Sequence, residues 1–596
     1  MPIVQFLSPS YESRSRNVSS KRALNLYPQM TDGNSKAPMI LIGTPGTTTF
    51  TREILGDIGI DTIQGDAAPV NVVSVTTTTA HGYAIGQIIN ITGTTVLDGD
   101  GLVVSSYDQL SVTIAYVPTP TTFTYETIDN SYSTINTTGT INATGESPIT
   151  TVDINSPCLG LHYTSTGRLF AVFSEYLYEV YANGTYERRG LSIGASADIS
   201  MASDGRSLVI VNGFIYYVYD LVANTSQTID TISMAGFDNP TKVRYLDGRI
   251  VITNNDPNLN NNNKFFWTNV LDATTIDPLG YATGESSADV ITAIEVLDGQ
   301  LWVFGPQSYE AWRTDTNPDL PWVRVGGSSS QIGCNAQNGV TKIGSHLYWL
   351  GSSTAGKDVV YKSNGSSAER ISNHAIEHLI GQLGATTSDA QFFSYQQEGH
   401  EWLCISFIQG NKTICYDIGS GSMWHERSTR DLTTNAQNRW SPLHIVFAFE
   451  KVITGDGDSA RLFTLSLDKY TEYDGRPIVR EFVSPVYFQD YRQCIHKDFE
   501  IDIETGIGLQ YGLTQVGIQQ NQGVNPQIML QYSDDAGHTF GSERWTNLGK
   551  TGQYRAKARW RNLGRTAERV YKITISDPVK VVILGARILM DVSRNR

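Results

Sequence analysis

Short apolar runs joined by tight turns recur along the middle of the chain. Each unit has a short apolar strand, a turn that contains glycine and a strongly apolar strand, as in residues 247–252, Asp-Gly-Arg-Ile-Val-Ile. Asp-Gly between apolar runs is typical of β-hairpins, because both residues tolerate positive φ. The turn glycines lie 38 to 55 residues apart, about 46 on average, at Gly167, Gly205, Gly248, Gly299, Gly344 and Gly399. A degenerate seventh unit falls around 450–454.

This spacing is that of the four-stranded blades of a β-propeller. The pattern therefore predicts a propeller of six or seven blades across residues 151–477. Unrelated hairpins in a sandwich stay open as an alternative, because the intervals are irregular. Residues 1–66 are interpreted as an N-terminal arm with the first propeller strands.

The two remaining regions also have strand patterns. Long alternating strands, such as 499–504 and 579–584, predict a C-terminal β-sandwich over residues 478–596. Residues 67–150, rich in Thr, Ile, Val and Gly, predict a small inserted β-domain. The only clear helix signal spans residues 372–383, and Ser372 is the expected cap. The fold class is therefore all-β: a propeller with an inserted β-domain and a C-terminal β-sandwich.

Charge separates the insert from the rest of the chain. The 596 residues carry 44 Lys+Arg against 59 Asp+Glu, a net charge of −15. No Lys or Arg lies between Arg52 and Arg168, and this span contains eleven acidic residues, so most of the net charge is there. The acidity argues against a general nucleic-acid binder, because duplex binding depends on Lys and Arg at phosphates. No apolar stretch is long enough to predict a membrane span.

Three motifs suggest chemistry, each with a structural alternative. The first is His374-Ala375-Ile376-Glu377-His378, which matches the inverted zinc-peptidase pattern. On a helix both histidines share a face, but no assured third ligand follows, so a surface helix is favoured.

The cysteines, Cys158, Cys334, Cys404, Cys415 and Cys494, are odd in number and lack C-x-x-C spacing. They are interpreted as buried thiols, ahead of a zinc site or disulfides. Cys404 and Cys415 are placed to face each other across a hairpin.

The second motif, residues 533–540, fits the Asp-box pattern of sialidase propellers. Its pattern residues are Ser533, Asp535, Gly537 and Thr539. The favoured interpretation is a structural turn, in which Ser533 and Asp535 accept backbone hydrogen bonds and Gly537 supplies positive φ. A glycosidase is the alternative, which also needs an arginine cluster, a Tyr nucleophile and converging carboxylates.

The third motif is a basic strand near the C-terminus. Basic residues alternate with apolar ones through 555–561, which gives one basic and one apolar face. A solvated face, a docking face for a partner and DNA contact are the three interpretations. The candidate docking residues are Arg555, Lys557, Arg559, Arg561 and Arg565. No catalytic, metal-binding or cofactor-binding residue is predicted.

Several segments, taken in order, resemble a known family. They are Ser8–Tyr11, Asn25–Pro28, Leu41–Gly46, Leu301–Gly305 with Tyr309–Trp312, Ile376–Ile380, Arg559–Arg565 and Ile573–Val579. Together these segments resemble the packaged-DNA stabilisation proteins, or tail hubs, of short-tailed bacteriophages. The motif His81-Gly82-Tyr83, with Gly86 and Ile91-Thr92-Gly93, resembles a small accessory β-module of phage structural proteins.

The resemblance implies a structural virion protein of the tail, assembled in the host cytoplasm. It implies a homohexameric ring below the portal and its adaptor that continues the DNA channel. The implied partners are the portal–adaptor connector and a tail needle, tailspike or tail fibre, with viral DNA only passing through. No cofactor is implied. A sialidase-like tail glycosidase and a binding-only tail fibre remain the competing hypotheses.

Overall fold

The structure is a computed structural model of the 596-residue chain. It describes residues 6–7, 12–31, 35–51, 60–65, 72–77, 88–91, 96–97, 103–105, 109–126, 157–190, 192–194, 199–229, 239–254, 262–284, 290–317, 320–353, 356–419, 423–431, 433–489, 492–509 and 522–592. Two of the sequence motifs are affected: Ser8–Tyr11 lies outside these ranges, as do His81–Tyr83, Gly86, Thr92 and Gly93 of the accessory-module motif.

The centre of the chain forms a propeller of seven four-stranded blades, so the prediction of a propeller is confirmed at the higher blade number. The strands of blades 1 to 3 are Cys158–Tyr163, Leu169–Phe173, Tyr176–Val180 and Tyr186–Arg189; Ser200–Ser203, Ser207–Val211, Tyr216–Asp220 and Thr225–Ile229; and Pro240–Leu246, Arg249–Asn254, Lys264–Asn269 and Asp272–Thr283. Those of blades 4 and 5 are Ala293–Leu297, Gln300–Phe304, Tyr309–Thr314 and Trp322–Arg324; and Val340–Ile343, His346–Ser353, Gly356–Asn364 and Ser367–Arg370, with Gly333–Cys334 added to blade 5. Blade 6 contains Ala390–Gln397, His400–Phe407, Lys412–Asp417 and Met423–Arg430, extended by Gln437–Arg439.

The glycine-containing turns join the first and second strands of blades 1 to 6. All six turn glycines have positive φ, for example +88° at Gly205 and +83° at Gly399. Blade 7 has the same turn without glycine, since Phe449 and Glu450 adopt φ of +52° and +61°. This is why the seventh repeat is degenerate in sequence although its blade is complete.

Blade 7 is assembled from two distant parts of the chain. Three strands, Pro442–Ala448, Lys451–Asp456 and Leu462–Ser466, are joined by an N-terminal strand, Gly46–Thr49. The N-terminal strand runs antiparallel to the third, with Thr47 opposite Leu465. The first strand of blade 7 also lies against the first strand of blade 1, which closes the ring. The N-terminal segment therefore supplies the last strand of the propeller.

The C-terminal region is a β-sandwich that also takes up N-terminal strands. One sheet contains Arg22–Leu24, Arg480–Val483, Tyr487–Phe488, Gln527–Ser533, Arg544–Asn547 and Glu568–Ile575. The other contains Leu26–Met30, Met39–Gly43, Cys494–Ile503, Ala558–Arg561, Arg565–Thr566 and Val582–Val592. The sheets pack face to face, with the rings of Phe499 and Tyr571 stacked at 4.2 Å. The basic strand Ala558–Arg561 belongs to the second sheet, and its Trp560 stacks on Phe499 of this buried aromatic layer.

One short strand connects the two domains. Residues Arg22–Leu24 pair in parallel with the last strand of blade 6, where Leu24 lies opposite Glu426. On its other side the same strand pairs with Arg480–Val483 of the sandwich. We call the region where residues 12–30, the last two strands of blade 6 and the linker 467–480 meet the junction. One continuous sheet therefore runs from blade 6 through the junction into the sandwich.

The predicted insert contains a sheet of its own. Its described strands are Val72–Thr77, Ile88–Ile91, Gln109–Thr119 and Thr122–Glu126, with a separate pair, Val96–Leu97 and Val103–Ser105. The strand Ile60–Gly65, which lies before the predicted boundary at residue 67, pairs with Val72–Thr77 in the same sheet. Val73, Val75, Phe123 and Tyr125 are buried in it. The sheet therefore has an apolar core of its own.

Candidate interaction surfaces

The predicted helix is present, but its histidines are not arranged as a metal site. It spans His374–Gln382 and is followed by a 3₁₀-helix, Gly384–Asp389. Its Glu377 is engaged by Arg370, whose Nε donates to Oε1 at 2.6 Å. His374 is exposed, and His378 contacts Gln382 at 3.1 Å. No described group of His, Cys, Asp and Glu has the arrangement of a metal site.

The expected helix cap at Ser372 is wrong by one residue. Asn373 is the cap, since its side chain accepts the backbone N–H of Ile376 at 3.0 Å. The Ser372 hydroxyl donates instead to Glu377 Oε1 at 2.8 Å and accepts the N–H of Val360. Both serine and asparagine are good caps, so sequence alone does not separate the two positions.

All five cysteines are buried thiols. Cys404 and Cys415 face each other on neighbouring strands of blade 6, with their Sγ atoms 3.1 Å apart. Burial raises the pKa of Cys158 and of Cys404, which favours the neutral, unreactive thiol.

The Asp-box segment forms a closed hydrogen-bonded turn. Ser533 Oγ donates to Asp535 at 2.5 Å and accepts the N–H of Gly537 at 2.9 Å. Asp535 also accepts the backbone N–H of Thr539 at 2.9 Å and its hydroxyl at 2.6 Å. Gly537 has φ of +89°. These bonds, from Ser533 and Thr539, hold the pKa of Asp535 well below its usual range, so the carboxylate stays ionised and occupied by its own turn.

The turn is tied to the sandwich through Asp534. The guanidinium of Arg569 is buried and binds Asp534 through two hydrogen bonds, of 2.6 and 2.9 Å. Its third nitrogen, Nη1, donates to the carbonyl of Leu563 at 2.6 Å. A buried arginine with this geometry has a positioning role, because each of its three guanidinium nitrogens donates to an acceptor.

The basic strand lies on the outer face of the sandwich. Its apolar residues, Ala558 and Trp560, are buried, while Arg559 is half-buried and Arg561 exposed. The strand pairs with Cys494–Ile503, which places Arg559 opposite Glu500 and Arg561 opposite Asp498. The period-two pattern is therefore a real alternation of inner and outer positions.

Carboxylates of the neighbouring strand neutralise much of this basic charge. Arg559 Nε donates to Asp498 at 2.9 Å, and Lys557 lies 3.2 Å from Glu500. Arg561 is 3.7 Å from Asp498. Arg555 and Arg565 lie just outside the strand, both exposed. The outer face is therefore a ladder of mixed charge rather than a uniform basic surface.

A second charged region lies at the junction. A cleft of about 520 Å³ opens between residues 12–16, the helix and the outer strands of blade 6. Among the described residues that line it, the cations are Arg14, Arg16, Arg22 and Lys412 and the carboxylates are Glu12 and Glu426. His378 of the helix and His538 of the Asp-box turn also line it. Two of the motifs found in the sequence therefore meet here.

Glu426 is the centre of the ion pairs beneath the cleft. Its buried carboxylate binds Arg22 at 2.8 Å and Lys412 at 3.0 Å. Arg22 is also 3.8 Å from Glu481, which in turn pairs with Lys572 at 2.9 Å. The network joins blade 6, the N-terminal strand and the sandwich through charge.

The linker that follows blade 7 carries a buried acid. Glu472 accepts a hydrogen bond of 2.7 Å from the Thr47 hydroxyl of the strand that completes blade 7. Burial raises the pKa of Glu472 to about 7. The linker also packs closely against this strand, since a Cβ at Gly46 would come within 2.4 Å of the Thr471 carbonyl oxygen.

Two family models match the chain in the order in which its domains occur. Residues 115–470 match the model described as Bacteriophage P22 Gp10, beta-propeller. Residues 479–591 match the model described as Bacteriophage P22 Gp10, beta-sandwich. The chain belongs to the phage P22 Gp10 family. The resemblance seen in the sequence and the predicted fold class are both confirmed, and the family is one of structural phage proteins that stabilise DNA.

More distant comparisons add no functional argument. No curated protein matches the chain. The N-terminal domain of Nup159 is 9% identical and covers 52% of this chain and 89% of its own, with a TM-score of 0.34. The WD40 β-propeller domain of Doa1 is 8% identical and covers 52% of this chain and 93% of its own, with a TM-score of 0.33. Among the described residues, no helix is long and apolar enough to cross a membrane.

The sequence did not indicate the junction cleft in this Gp10-family chain. Its lining comes from four separate segments, and Arg22 and Glu426 are 404 residues apart. One signal was available: the cluster Arg14, Arg16, Lys21 and Arg22 makes the N-terminal arm basic in an acidic chain. Nothing in the sequence shows which carboxylate meets it.

Proposed function

We propose that the protein is the tail hub, or nozzle, of a short-tailed phage. In this role it assembles as a homohexameric ring below the portal and adaptor and continues the DNA channel. It helps to retain packaged DNA and carries a needle, tailspike or fibre. The observation that carries the proposal is the ordered match of both the propeller and the sandwich to the P22 Gp10 family.

The charge of the chain is consistent with a channel through which DNA slides. Six copies at −15 each carry a formal charge of about −90. Negative walls repel phosphates and hold no counterion-releasing Lys and Arg contacts, so a duplex passes without adhering. The role requires containment of DNA and no covalent chemistry.

The geometry favours this role over a sialidase-like glycosidase. The Asp-box carboxylate of Asp535 is bound within its own turn, and Arg569 is buried against Asp534. In the described part of the chain, Asp535 and Arg569 are therefore not brought together at a position where a sugar substrate could bind both. The chain's single Asp-box therefore supports a structural turn.

The basic strand is the proposed docking surface for the portal–adaptor connector. Arg559 is engaged by Asp498, so recognition depends on the more exposed cations: Arg555, Lys557, Arg561 and Arg565. A partner that offers carboxylates at this face can compete for Lys557 and Arg561, whose present ion pairs lie at the surface.

Electron microscopy of the full chain mixed with a purified portal–adaptor complex tests the proposal. We expect a ring of six copies that continues the connector channel. The double variant Arg555→Glu/Arg561→Glu tests docking, with Arg206→Glu/Arg313→Glu as a control of equal charge change on exposed propeller positions. Chains that never associate with the connector contradict the hub, whereas equal binding by both double variants contradicts only the docking strand.

A further inference from the structure

The junction cleft carries more positive than negative charge in an otherwise acidic protein. Four cations, Arg14, Arg16, Arg22 and Lys412, line it against two carboxylates. We propose that this cleft receives an acidic segment of the 67–150 insert of a neighbouring copy of this chain. The inference rests on the proposed ring, because it needs a second copy beside the first.

The cations of the cleft are held in place by contacts within it and beside it. Arg22 and Lys412 both bind Glu426, at 2.8 and 3.0 Å, and Arg22 also lies 3.8 Å from Glu481. Arg16 pairs with Glu12 and also donates to the carbonyl of Gly537 at 3.2 Å, which fixes the arm against the Asp-box turn. Arg14 is exposed at the mouth. The cleft thus presents an excess of about two positive charges on a fixed framework.

The insert has the complementary charge. Six of the eleven carboxylates between Arg52 and Arg168 lie within residues 67–150, and no Lys or Arg in that insert neutralises them. Arginine binds carboxylates through two parallel hydrogen bonds, which gives such a contact geometric specificity. Opposite fields also steer the two surfaces together before contact. This charge segregation within one chain is the main argument for its own insert as the occupant.

The proposed ring sets a neighbouring copy beside each cleft, and the insert of that copy is taken as the occupant. In a cyclic ring every copy offers one insert and one cleft, so all the contacts are satisfied around the ring.

Photo-crosslinking in assembled rings tests the proposal. A photo-reactive amino acid replaces His378, which lines the cleft from the helix, and isotopically heavy and light full-length chains are mixed before assembly. Ring formation is first measured by mass photometry. The crosslinked peptides are then identified by mass spectrometry. We expect heavy–light adducts between position 378 and residues 67–150.

The charge variants provide the matched comparison. Arg14→Glu/Arg16→Glu should lower the yield of these adducts about ten-fold, because the excess positive charge of the cleft is reversed. Arg206→Glu/Arg313→Glu has the same change in net charge outside the cleft and should leave the yield unchanged. Rings that form normally but give adducts only within one chain, with another protein or with DNA overturn the inference and leave the hub intact. Failure of the wild-type chain to form rings with the connector overturns both.

Discussion

The outer face of the sandwich and the junction both contain cations paired with carboxylates, but they differ in burial. On the outer face, Lys557 is 68% exposed, and water competes for its charge. At the junction, the side chain of Glu426 is only 4% exposed and serves two cations. The difference shows that a run of basic residues in the sequence does not reveal which ion pairs hold the structure together. Burial decides which pairs are structural and which are available to partners.

Removal of the central carboxylate at the junction should have the largest effect. In Glu426→Gln, Arg22 and Lys412 lose their shared partner while remaining close together. Breaking such a buried pair costs about 3–5 kcal/mol of unfolding free energy. Urea unfolding measures it, with Glu401→Gln, at a more exposed position of blade 6, as a control. A loss below 1 kcal/mol shows that the junction does not depend on this charge.

Glu472 tests whether buried charge is costly at the same junction. Its pKa is about 7 in the folded chain against an ordinary 4.5. The folded chain keeps a proton that the unfolded chain releases between these values, so the free energy of unfolding falls as the pH rises through 4.5–7. Glu472→Gln lacks this loss. Its free energy of unfolding should therefore exceed that of the wild type by about 3 kcal/mol at pH 8 and should equal it at pH 4.

Urea unfolding at pH 4, 6 and 8 measures this difference. Glu504→Gln, at an exposed position paired with Lys580, is the control and should show no such trend. A constant difference between Glu472→Gln and the wild type at all three pH values contradicts the raised pKa.

The outer face should respond more weakly. In Asp498→Asn, Arg559 and Arg561, which are 29% and 69% exposed, lose a half-buried carboxylate, which should cost about 1 kcal/mol or less. The cost should also shrink in 1 M salt, because exposed pairs are screened. Thermal unfolding at low and high salt measures it. A cost as large as that of Glu426→Gln removes the distinction between the two regions.

Lys557→Ala should have the smallest effect. Its ion pair with Glu500 is exposed, and such pairs contribute about 0.5 kcal/mol or less. Stability should therefore hardly change, while binding to the connector falls if the basic strand docks it. Thermal unfolding and a pull-down with the connector measure the two quantities separately. A marked loss of stability indicates a structural strand instead of a docking surface.

The sequence predicted features whose causes are local. The turn glycines, such as Gly205, need positive φ and so revealed the blades, and the alternation of Ala558 and Trp560 with arginines gave the faces of the basic strand. Features that depend on distant pairing were not predictable. The strand Gly46–Thr49 completes a blade more than 390 residues away, and Asp498 neutralises Arg559 from another strand.

The central claim is that this chain assembles into a six-membered ring with the phage connector. Mass photometry of the full chain with and without a portal–adaptor complex tests it most directly. The account predicts a species of six times 65.6 kDa, about 394 kDa, or its complex with the connector. A chain that remains at 65.6 kDa under all conditions, with the connector present, contradicts it.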